Sequence, residues 1–318
     1  MAACRDRRMS SFPKNESGVA ILTSMLVVTL GTLIATNLMW QANLDLRRAE
    51  TALAADQGLM YLQGAEAWAG EILRQDQLES PDSDHLGEKW AIQLSPMAVE
   101  GGLIAGHLED LQGRFNLNNL VTTQGEEDPV WRSVFERLLI SLNLDPSIAG
   151  VVVDWLDTDS LTGFPRGAED AAYAGSNPPY RVPNSMITSP SELRAMFGLE
   201  LQDYSRLLPY VTALPIGTRL NVNTASEYVL ASLSGDIDLT AAESIIQEQR
   251  GLNGFIDINN TFERLLDQDL LSRIDAVSQH FLLITTISIN NNQTTMYSLL
   301  QRDDSGIVRS VFRSLGVE

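Results

Sequence analysis

A long run of mainly hydrophobic residues lies near the start of the chain. Residues 19–40, VAILTSMLVVTLGTLIATNLMW, contain no charge and no proline, and as a helix they are long enough to cross about 30 Å of hydrocarbon. Apolar positions then recur at spacings near three, four and seven from Leu46 to Ile72. Because no proline occurs between Pro13 and Pro81, this pattern predicts one helix of more than fifty residues.

In two later parts of the chain, hydrophobic residues recur at every second position instead of every third or fourth. Residues 99–112 alternate around glycines and predict a strand or hairpin. The end of the chain alternates again and predicts three strands, at 280–289, 294–302 and 307–312. Runs of Asn (290–292) and of Asp, Ser and Gly (303–306) separate them and are typical of hairpin turns.

Between these two β regions lie about 155 residues with mainly helical signals, which is too long for a loop in a compact domain. Helix starts within them are marked by the capping-box pattern, a hydroxyl residue followed three positions later by Glu, at Ser189–Glu192, Thr224–Glu227 and Thr240–Glu243. The sequence therefore predicts an α+β protein in which a long N-terminal helix and an antiparallel sheet are interrupted by a large inserted all-α domain.

The balance of acidic and basic residues argues against some classes of function. The chain of 318 residues has 22 Lys and Arg against 41 Asp and Glu, a net charge of −19, which argues against wrapping nucleic acid or coating an anionic membrane. The short leader before the apolar run is the exception, because its four cations outnumber its two acids. The positive-inside rule keeps such a leader cytoplasmic and predicts that everything after Trp40 lies across the membrane.

The junction between leader and apolar run distinguishes two kinds of export signal. A secretory signal peptide has a shorter apolar core followed by a small-x-small cleavage site, and this sequence has neither. Gly18 instead precedes the apolar run, which resembles a type IV prepilin leader. In that family a prepilin peptidase cuts after the glycine, here Gly18, and methylates the new N-terminus, here Val19. The family's usual glutamate at the fifth mature position is replaced by Thr23, so this chain lacks that ion-pair partner in a filament.

Catalytic motifs are missing from the sequence. The single cysteine, Cys4, lies in the leader, and His85, His107 and His280 are isolated from one another. No nucleophile elbow or phosphate loop occurs. We therefore predict that the protein is not an enzyme.

Residues 221–255 resemble a helix-hairpin-helix module, a fold that usually binds DNA backbones. This copy has Asp236 and Asp238 in its hairpin, and residues 121–276 hold 10 Arg against 23 acidic residues. Such a surface repels phosphate, so a packing unit is the favoured interpretation. A membrane-anchored DNA-uptake module remains the alternative function.

One segment contains the residues of a metal site. In DWLDTDSLTGFPRGAED the acids are Asp154, Asp157, Asp159, Glu169 and Asp170, and hard cations bind several such oxygens. The spacing is not that of an EF-hand, and zinc is disfavoured because no Cys or His lies nearby in sequence. From composition alone the segment is a solvated acidic loop or, less readily, a calcium site.

Taken together, the sequence resembles the large minor pseudopilins, the K components of bacterial type II secretion systems. The resemblance covers nearly the whole chain, in GVAILT, LDLRRAE, GAEAWA, DHLGEKWA, EDLQGRFNLNNLV, DWLD, GAED, PPYR, SELR and LPYVTALP. It implies a pilin fold interrupted by a helical domain and a complex with two smaller minor pseudopilins, the I and J components. It also implies calcium near Asp157, Asp159, Glu169 and Asp170, with Asp154 as a weaker candidate.

The resemblance turns these features into one functional prediction. The protein is expected to be a single-pass bacterial inner-membrane protein, mostly periplasmic, that caps the pseudopilus tip and helps to start its assembly. Its partners would be the prepilin peptidase, the inner-membrane secretion platform and the I and J components, and not nucleic acid. The predicted parts are the leader (1–18), the transmembrane part of the helix (19–40), the first part of the pilin-like domain (41–120), the inserted helical domain (121–276) and the C-terminal strands (277–318).

Overall fold

A single long helix opens the described part of the chain. Helix α1 spans Ser17–Glu79, which confirms the prediction of one helix running through and beyond the apolar segment. Residues 18–53 of this helix are exposed, including its large apolar side chains. By length and composition the helix is apolar enough to cross a membrane.

The computed structural model describes residues 17–93, 95–290 and 292–316. Residues 1–16 of the predicted leader therefore lie outside the described residues. The chain divides into two units, with the boundary between Gln57 and Gly58. The first unit contributes the apolar part of α1, and the second contains the end of α1 and all the elements that follow it.

A five-stranded antiparallel sheet forms the β framework of the second unit. Its spatial order is β1-β2-β7-β8-β9, with β1 at Met97–Val99, β2 at Gly102–Asp110, β7 at His280–Ile289, β8 at Asn292–Arg302 and β9 at Val308–Leu315. The sheet thus joins the hairpin that precedes the helical segment to the strands that follow it, as predicted from the two regions of alternation. A bulge between Leu299 and Leu300 shifts the register of β8 against β9.

The end of α1 packs on one face of this sheet. Leu73 on the helix, Trp90 after it, and Phe281 and Leu300 on the strands form a buried apolar cluster. The Trp90 and Phe281 rings meet edge to face with centroids 5.2 Å apart. This contact explains why the amphipathic pattern of α1 continues past the membrane-spanning length, since these turns bury one face against the strands.

The helical body occupies the chain between β2 and β7. Its α-helices are α2 (Pro129–Ser141), α3 (Ile148–Leu156), α4 (Asp170–Tyr173), α5 (Leu201–Leu207), α6 (Glu227–Ser232), α7 (Leu239–Ile245), α8 (Ile258–Phe262) and α9 (Gln268–Leu271). Two short parallel ladders also occur, β3 (Phe115–Asn116) with β4 (Val211–Thr212) and β5 (Leu220–Asn221) with β6 (Ile274–Asp275). The insert is thus helical in character with two minimal β ladders.

One continuous hydrophobic cluster holds the helical body together. It begins at Phe115, includes nearly every inward residue of α2 and α3, and ends at Ile274. Phe115 stacks on Phe135 with ring centroids 5.0 Å apart. The cluster therefore reaches slightly before the predicted start of the insert at 121, and the boundaries 121 and 276 stay a prediction.

Of the three predicted capping boxes, the structure shows one. Ser189 and Glu192 form the expected capping box, although the helix they begin is a 3-10 helix, Pro190–Ala195. The boxes predicted at Thr224 and Thr240 are wrong, because Ser226 caps α6 and Asp238 caps α7. Both observed caps lie within two residues of the predicted ones, and a nearby Ser or Asp can cap equally well.

Candidate metal centre

The acidic segment begins at the end of a fully buried helix. All nine residues of α3 are buried, so Asp154 and the C-cap residue Asp157 are held in fixed positions against the apolar core. The C-terminal end of a helix has a partial negative charge. Carboxylates at this end are therefore disfavoured unless a cation or a hydrogen-bond donor compensates them.

Three of the five predicted residues lie together. Asp157, Asp159 and Glu169 each place a carboxylate oxygen within 4.8 Å of the other two. Asp157 is 7 % exposed and Glu169 8 % exposed, whereas Asp159 is exposed. The group therefore has two buried ligands and one that opens to solvent.

Two oxygens of this group have no partner. Asp157 Oδ1 and Glu169 Oε1 are buried and accept no hydrogen bond, and no described cation forms a salt bridge with either residue or with Asp159. A buried carboxylate oxygen without a donor costs about 1–3 kcal/mol or more. Most buried polar groups are paired for this reason, so these two oxygens are the ones that could bind a cation.

The pKa shifts of these carboxyl groups show the same excess of negative charge. Burial, together with the charges of Asp159, Asp154 and Glu169, raises the pKa of Asp157 to about 7. Burial and neighbouring carboxylates also raise the pKa of Glu169. A divalent cation would reverse both effects by favouring the ionised forms.

The other two predicted ligands, Asp154 and Asp170, lie outside this group of three, and their place in a metal site stays a prediction. Asp154 accepts hydrogen bonds from the backbone N–H groups of Gly163 (3.1 Å) and Ala168 (2.8 Å), which tie the loop to the end of α3. Asp170 begins α4 and accepts a hydrogen bond from the N–H of Val182 at 3.1 Å. Both carboxylates hold backbone in place, which the sequence alone could not distinguish from metal binding.

The donor set is made of oxygens alone. No histidine or cysteine of the described residues belongs to the group, and its members differ in burial and come from three positions along one loop. Ca²⁺ accepts 6–8 oxygen ligands in flexible geometry, whereas Mg²⁺ requires a near-ideal octahedron and Zn²⁺ favours nitrogen and sulfur. The residues present therefore fit calcium best among common divalent cations.

Asn184 was missed by the sequence reasoning. Its side-chain Nδ2 donates to the backbone carbonyl of Asp159 at 2.7 Å, which brings a distant loop to the carboxylate group. The two residues are 25 positions apart and the chain between them is mostly irregular. No periodicity or spacing in the sequence signals such a contact.

A second acidic group was also missed, and it differs from the first in having a built-in cation. Asp76, Asp84 and Glu88 converge beneath the sheet, where the Arg302 guanidinium lies 2.6 Å from both Asp84 oxygens and 3.1 Å from Asp76. Arg302 also donates to the carbonyl of Ser278. Because this arginine already binds two of the three acids, we interpret the group as structural.

The predicted processing site lies at the start of the described helix. Gly18 and Val19 are both helical and exposed. At the fifth position of the mature chain, the Thr23 hydroxyl donates to the carbonyls of Val19 and Ala20, each at 3.0 Å. The hydroxyl is thus bonded within its own helix, as is common for threonine in apolar helices.

Comparisons with known proteins agree with this architecture. Residues 113–216 and 220–281 match two family models, both described as type II secretion system (T2SS), protein K. The type II secretion system protein K of Pseudomonas aeruginosa is 36% identical, over 95% of this chain and 94% of the relative. That of Aeromonas hydrophila is 34% identical, over 66% of this chain and 68% of the relative.

A solved structure shares the fold. It is the crystal structure of the GspK–GspI–GspJ complex from the type 2 secretion system of enterotoxigenic Escherichia coli. The similar chain there has a TM-score of 0.75 and 24% identity, and the match covers 85% of this chain and 100% of that one. At this identity the likeness establishes the fold, a pilin-like helix and sheet with a helical body.

Proposed function

Because this chain belongs to the type II secretion system protein K family, we propose that it is a minor pseudopilin that caps the tip of the pseudopilus and helps to start its assembly. The observation that carries this proposal is the helical body between β2 and β7, built around its own apolar cluster. In a helical stack every interior subunit needs another subunit above it. A body of this size is best accommodated where the stack ends.

The proposed topology follows from α1. Its exposed apolar segment would remain in the inner membrane, and the residues after it would lie in the periplasm. A prepilin peptidase would cut between Gly18 and Val19 and methylate Val19, leaving the helix intact. The role is that of a structural component rather than a catalyst.

The proposed partners are the I and J components and the inner-membrane secretion platform. A complex of GspK with GspI and GspJ is known for the Escherichia coli protein, and the shared fold supports an equivalent assembly here. Thr23 supports a terminal place in it, because a chain without the glutamate that is usual among type IV prepilins cannot supply that charge to a neighbouring subunit. The bonded state of the Thr23 hydroxyl agrees with this, since it is already satisfied within α1.

The alternative of a DNA-uptake module has no support. Asp238 caps α7 by accepting a hydrogen bond from the N–H of Ala241 at 2.7 Å. A carboxylate therefore occupies the helix N-terminus where a DNA phosphate would bind in a helix-hairpin-helix contact. Asp236 lies exposed in the same hairpin and adds to the repulsion.

Two measurements test the pseudopilin proposal. Mass spectrometry of the protein purified from membranes should give an N-terminus at methylated Val19, and Gly18→Glu should leave the leader attached. Immunogold labelling of overproduced pseudopili should find the protein at one end. Even labelling along the filaments, or a mature N-terminus well beyond the apolar segment, would contradict the proposal.

We further propose that Asp157, Asp159 and Glu169 bind calcium and that the ion stabilises the helical body. The support is the pair of buried carboxylate oxygens without hydrogen bonds, because calcium would supply the positive charge they lack. When bound, the ion would neutralise the repulsion between these side chains. Asp154 and Asp170 would keep the roles described above and hold the loop that presents the ligands.

Thermal melts of the full chain in detergent, with calcium or with chelator, test this site. Calcium at a hundredfold excess over its dissociation constant would add about 2.7 kcal/mol, which raises the melting temperature of a unit of this size by about 5–10 °C. Asp159→Asn should lose this response, whereas the matched exposed acid variant Asp236→Asn should keep it. Equal melting temperatures with and without calcium would refute the site.

A further inference from the structure

Arg137 is a half-buried cation of the helical body, and among the described residues it has no acidic partner. Its Nε donates to the carbonyl of Ser232 at 2.6 Å and its Nη2 donates to the carbonyl of Leu233 at 2.9 Å, where α6 ends. A guanidinium has five N–H groups, so these two bonds leave other N–H groups that bond to no described residue. The two carbonyls therefore fix the orientation of the guanidinium without neutralising its charge.

The acids nearest in charge to Arg137 are bonded elsewhere. Burial lowers the pKa of the Arg137 guanidinium, and the charges of Glu136 and Asp267 offset this effect only in part. Glu136 forms its ion pair with Arg132, at 3.0 Å. Asp267 caps α9 by accepting a hydrogen bond from the N–H of Leu270 at 2.8 Å. An unpaired arginine is notable in a chain with a net charge of −19.

Arg137 also lines an open cavity of about 340 Å³ between α2, the turn after α6 and the segment around α9. The wall combines this cation with apolar side chains: Val130 on α2, Leu233 after α6, and Leu265 and Leu270 around α9. Concave sites that place one charged group among apolar side chains are typical of binding sites. The apolar part of this wall would hold an aliphatic group, and the guanidinium would hold an anion.

From this geometry we propose that the cavity binds an acidic side chain of a partner protein, with the carboxylate on Arg137 and the apolar neighbours of that side chain against the leucines. Carboxylates match the planar fork of a guanidinium and form charge-assisted hydrogen bonds with it. The site lies within the helical body, so the inference does not depend on the proposed place in the filament.

The charges around the cavity favour a protein segment over a nucleic acid. Asp267 lines the cavity and is exposed, and the exposed Asp236 directly follows Gly235, another lining residue. A single carboxylate needs to approach Arg137 alone, whereas a chain of phosphates would also pass these two acids and be repelled.

Ser133 offers a way to occupy the site from within the chain. It is exposed, lines the same cavity and lies four positions before Arg137 on α2. Glutamate placed four positions before a basic residue forms a favourable pair on a helix, so Ser133→Glu would supply the missing carboxylate without removing the bonds of Arg137 to α6. The matched control is Ser205→Glu on α5. Both serines are exposed and donate to the carbonyl four positions earlier, at 2.9 and 2.8 Å, and Ser205 does not line the cavity.

Saturation-transfer NMR on the full chain in detergent tests the site with two probes, the peptides acetyl-Leu-Glu-Leu-amide and acetyl-Leu-Gln-Leu-amide. The glutamate peptide should bind about tenfold or more tightly than the glutamine peptide, because only the first forms a charged hydrogen bond with Arg137. Ser133→Glu should weaken binding of the glutamate peptide about tenfold or more, and the uncharged Ser133→Gln should weaken it less. Ser205→Glu should bind this peptide as wild type does.

Arg137→Gln gives a second check and should bind the two peptides equally weakly, with thermal melts to show that the variant is folded. Equal binding of the two peptides by wild type, no detectable binding of the glutamate peptide, or wild-type affinity in Ser133→Glu would overturn the proposal. A preference for a single-stranded oligonucleotide over the glutamate peptide would overturn the assignment to a protein partner.

Discussion

Replacing Arg302 by methionine should destabilise the second unit more than any exposed arginine replacement, because the change leaves buried acids without their cation. Arg302 is 2% exposed and its guanidinium binds Asp84 through two contacts of 2.6 Å and Asp76 at 3.1 Å. It also lies 5.1 Å from the centre of the Phe281 ring. Methionine fills a similar volume, so the loss would come from charge and hydrogen bonding and not from a cavity.

The size of the effect follows from the burial of the partners. Removing one member of a buried ion pair costs about 3–5 kcal/mol, because the other member is left as an uncompensated charge. The exposed control is Arg309→Met. The Arg309 side chain is 70% exposed and 3.8 Å from Asp303, so this variant should remain within about 0.5 kcal/mol of wild type.

The dependence of this free-energy cost on pH gives a more specific prediction. Burial, with the charges of Glu88 and Asp84, raises the pKa of Asp76 to about 7. Between about pH 4 and pH 7 the folded protein therefore binds a proton that the unfolded chain has released, so this group makes stability rise as the pH falls. Without Arg302, which lowers the pKa of Asp76, this carboxyl should hold its proton more strongly still. The cost of Arg302→Met should thus shrink by about 1–2 kcal/mol from pH 8 to pH 5, at roughly 1.4 kcal/mol per pH unit for each proton bound.

Urea unfolding of the full chain in detergent, followed by tryptophan fluorescence, measures these differences. Trp90 reports directly on the site, because its Nε1 donates to Glu88 Oε2 at 2.7 Å. The pH series should be run on wild type, Arg302→Met and Arg309→Met under identical chelated conditions, so that the other titrating acids cancel. A loss below about 1 kcal/mol at pH 8, or a loss that grows as the pH falls, would refute the reasoning.

Two further predictions concern the helical body. Gly167→Ala should abolish most of the stabilisation by calcium, because its Cβ would lie 2.2 Å from Asp154 Oδ2 and displace the loop. The control is Gly175→Ala, whose Cβ meets no atom within 4 Å and which should keep the calcium response in the same thermal melts. Phe135→Ala should lower the free energy of unfolding by about 3–5 kcal/mol because Phe135 is fully buried, whereas Phe312→Ala on the exposed edge of the sheet should cost far less in urea titrations.

Local patterns predicted the β framework well. The strand predicted at 280–289 is observed over the same residues, because alternating side chains and polar turns are properties of neighbouring positions. The caps were less predictable. The Thr224 hydroxyl donates to the Asp110 carboxylate, 114 residues earlier in the chain, and Ser226 caps α6 instead. Neighbouring positions in the sequence do not show which of several capping residues is drawn into a tertiary contact.

The candidate metal centre was predictable to the extent that its residues are close in sequence. Asp157, Asp159 and Glu169 stood out as acids within one short loop. The separate roles of Asp154 and Asp170 depend on which backbone amides the fold brings to them, and Asn184 enters through a hydrogen bond across 25 positions. Composition therefore located the group of acids, whereas only the folded loop separated the three clustered carboxylates from Asp154 and Asp170.

The two acidic groups use opposite solutions to the same electrostatic problem, and the difference bears on when each part of the molecule becomes stable. Beneath the sheet, Arg302 is a cation encoded in the chain that pairs with Asp84 and Asp76, so that group carries part of its compensation wherever the protein folds. In the helical body, three arginines are already paired with other acids: Arg132 with Glu127 and Glu136, Arg166 with Asp145, and Arg181 with Asp170. Among the described residues no cation pairs with Asp157, Asp159 or Glu169, so their positive charge would have to come from protons or from a solution cation. If that cation is calcium, the sheet would fold independently of calcium. The helical body would reach full stability only where calcium is available, which for the proposed topology is the periplasm after export.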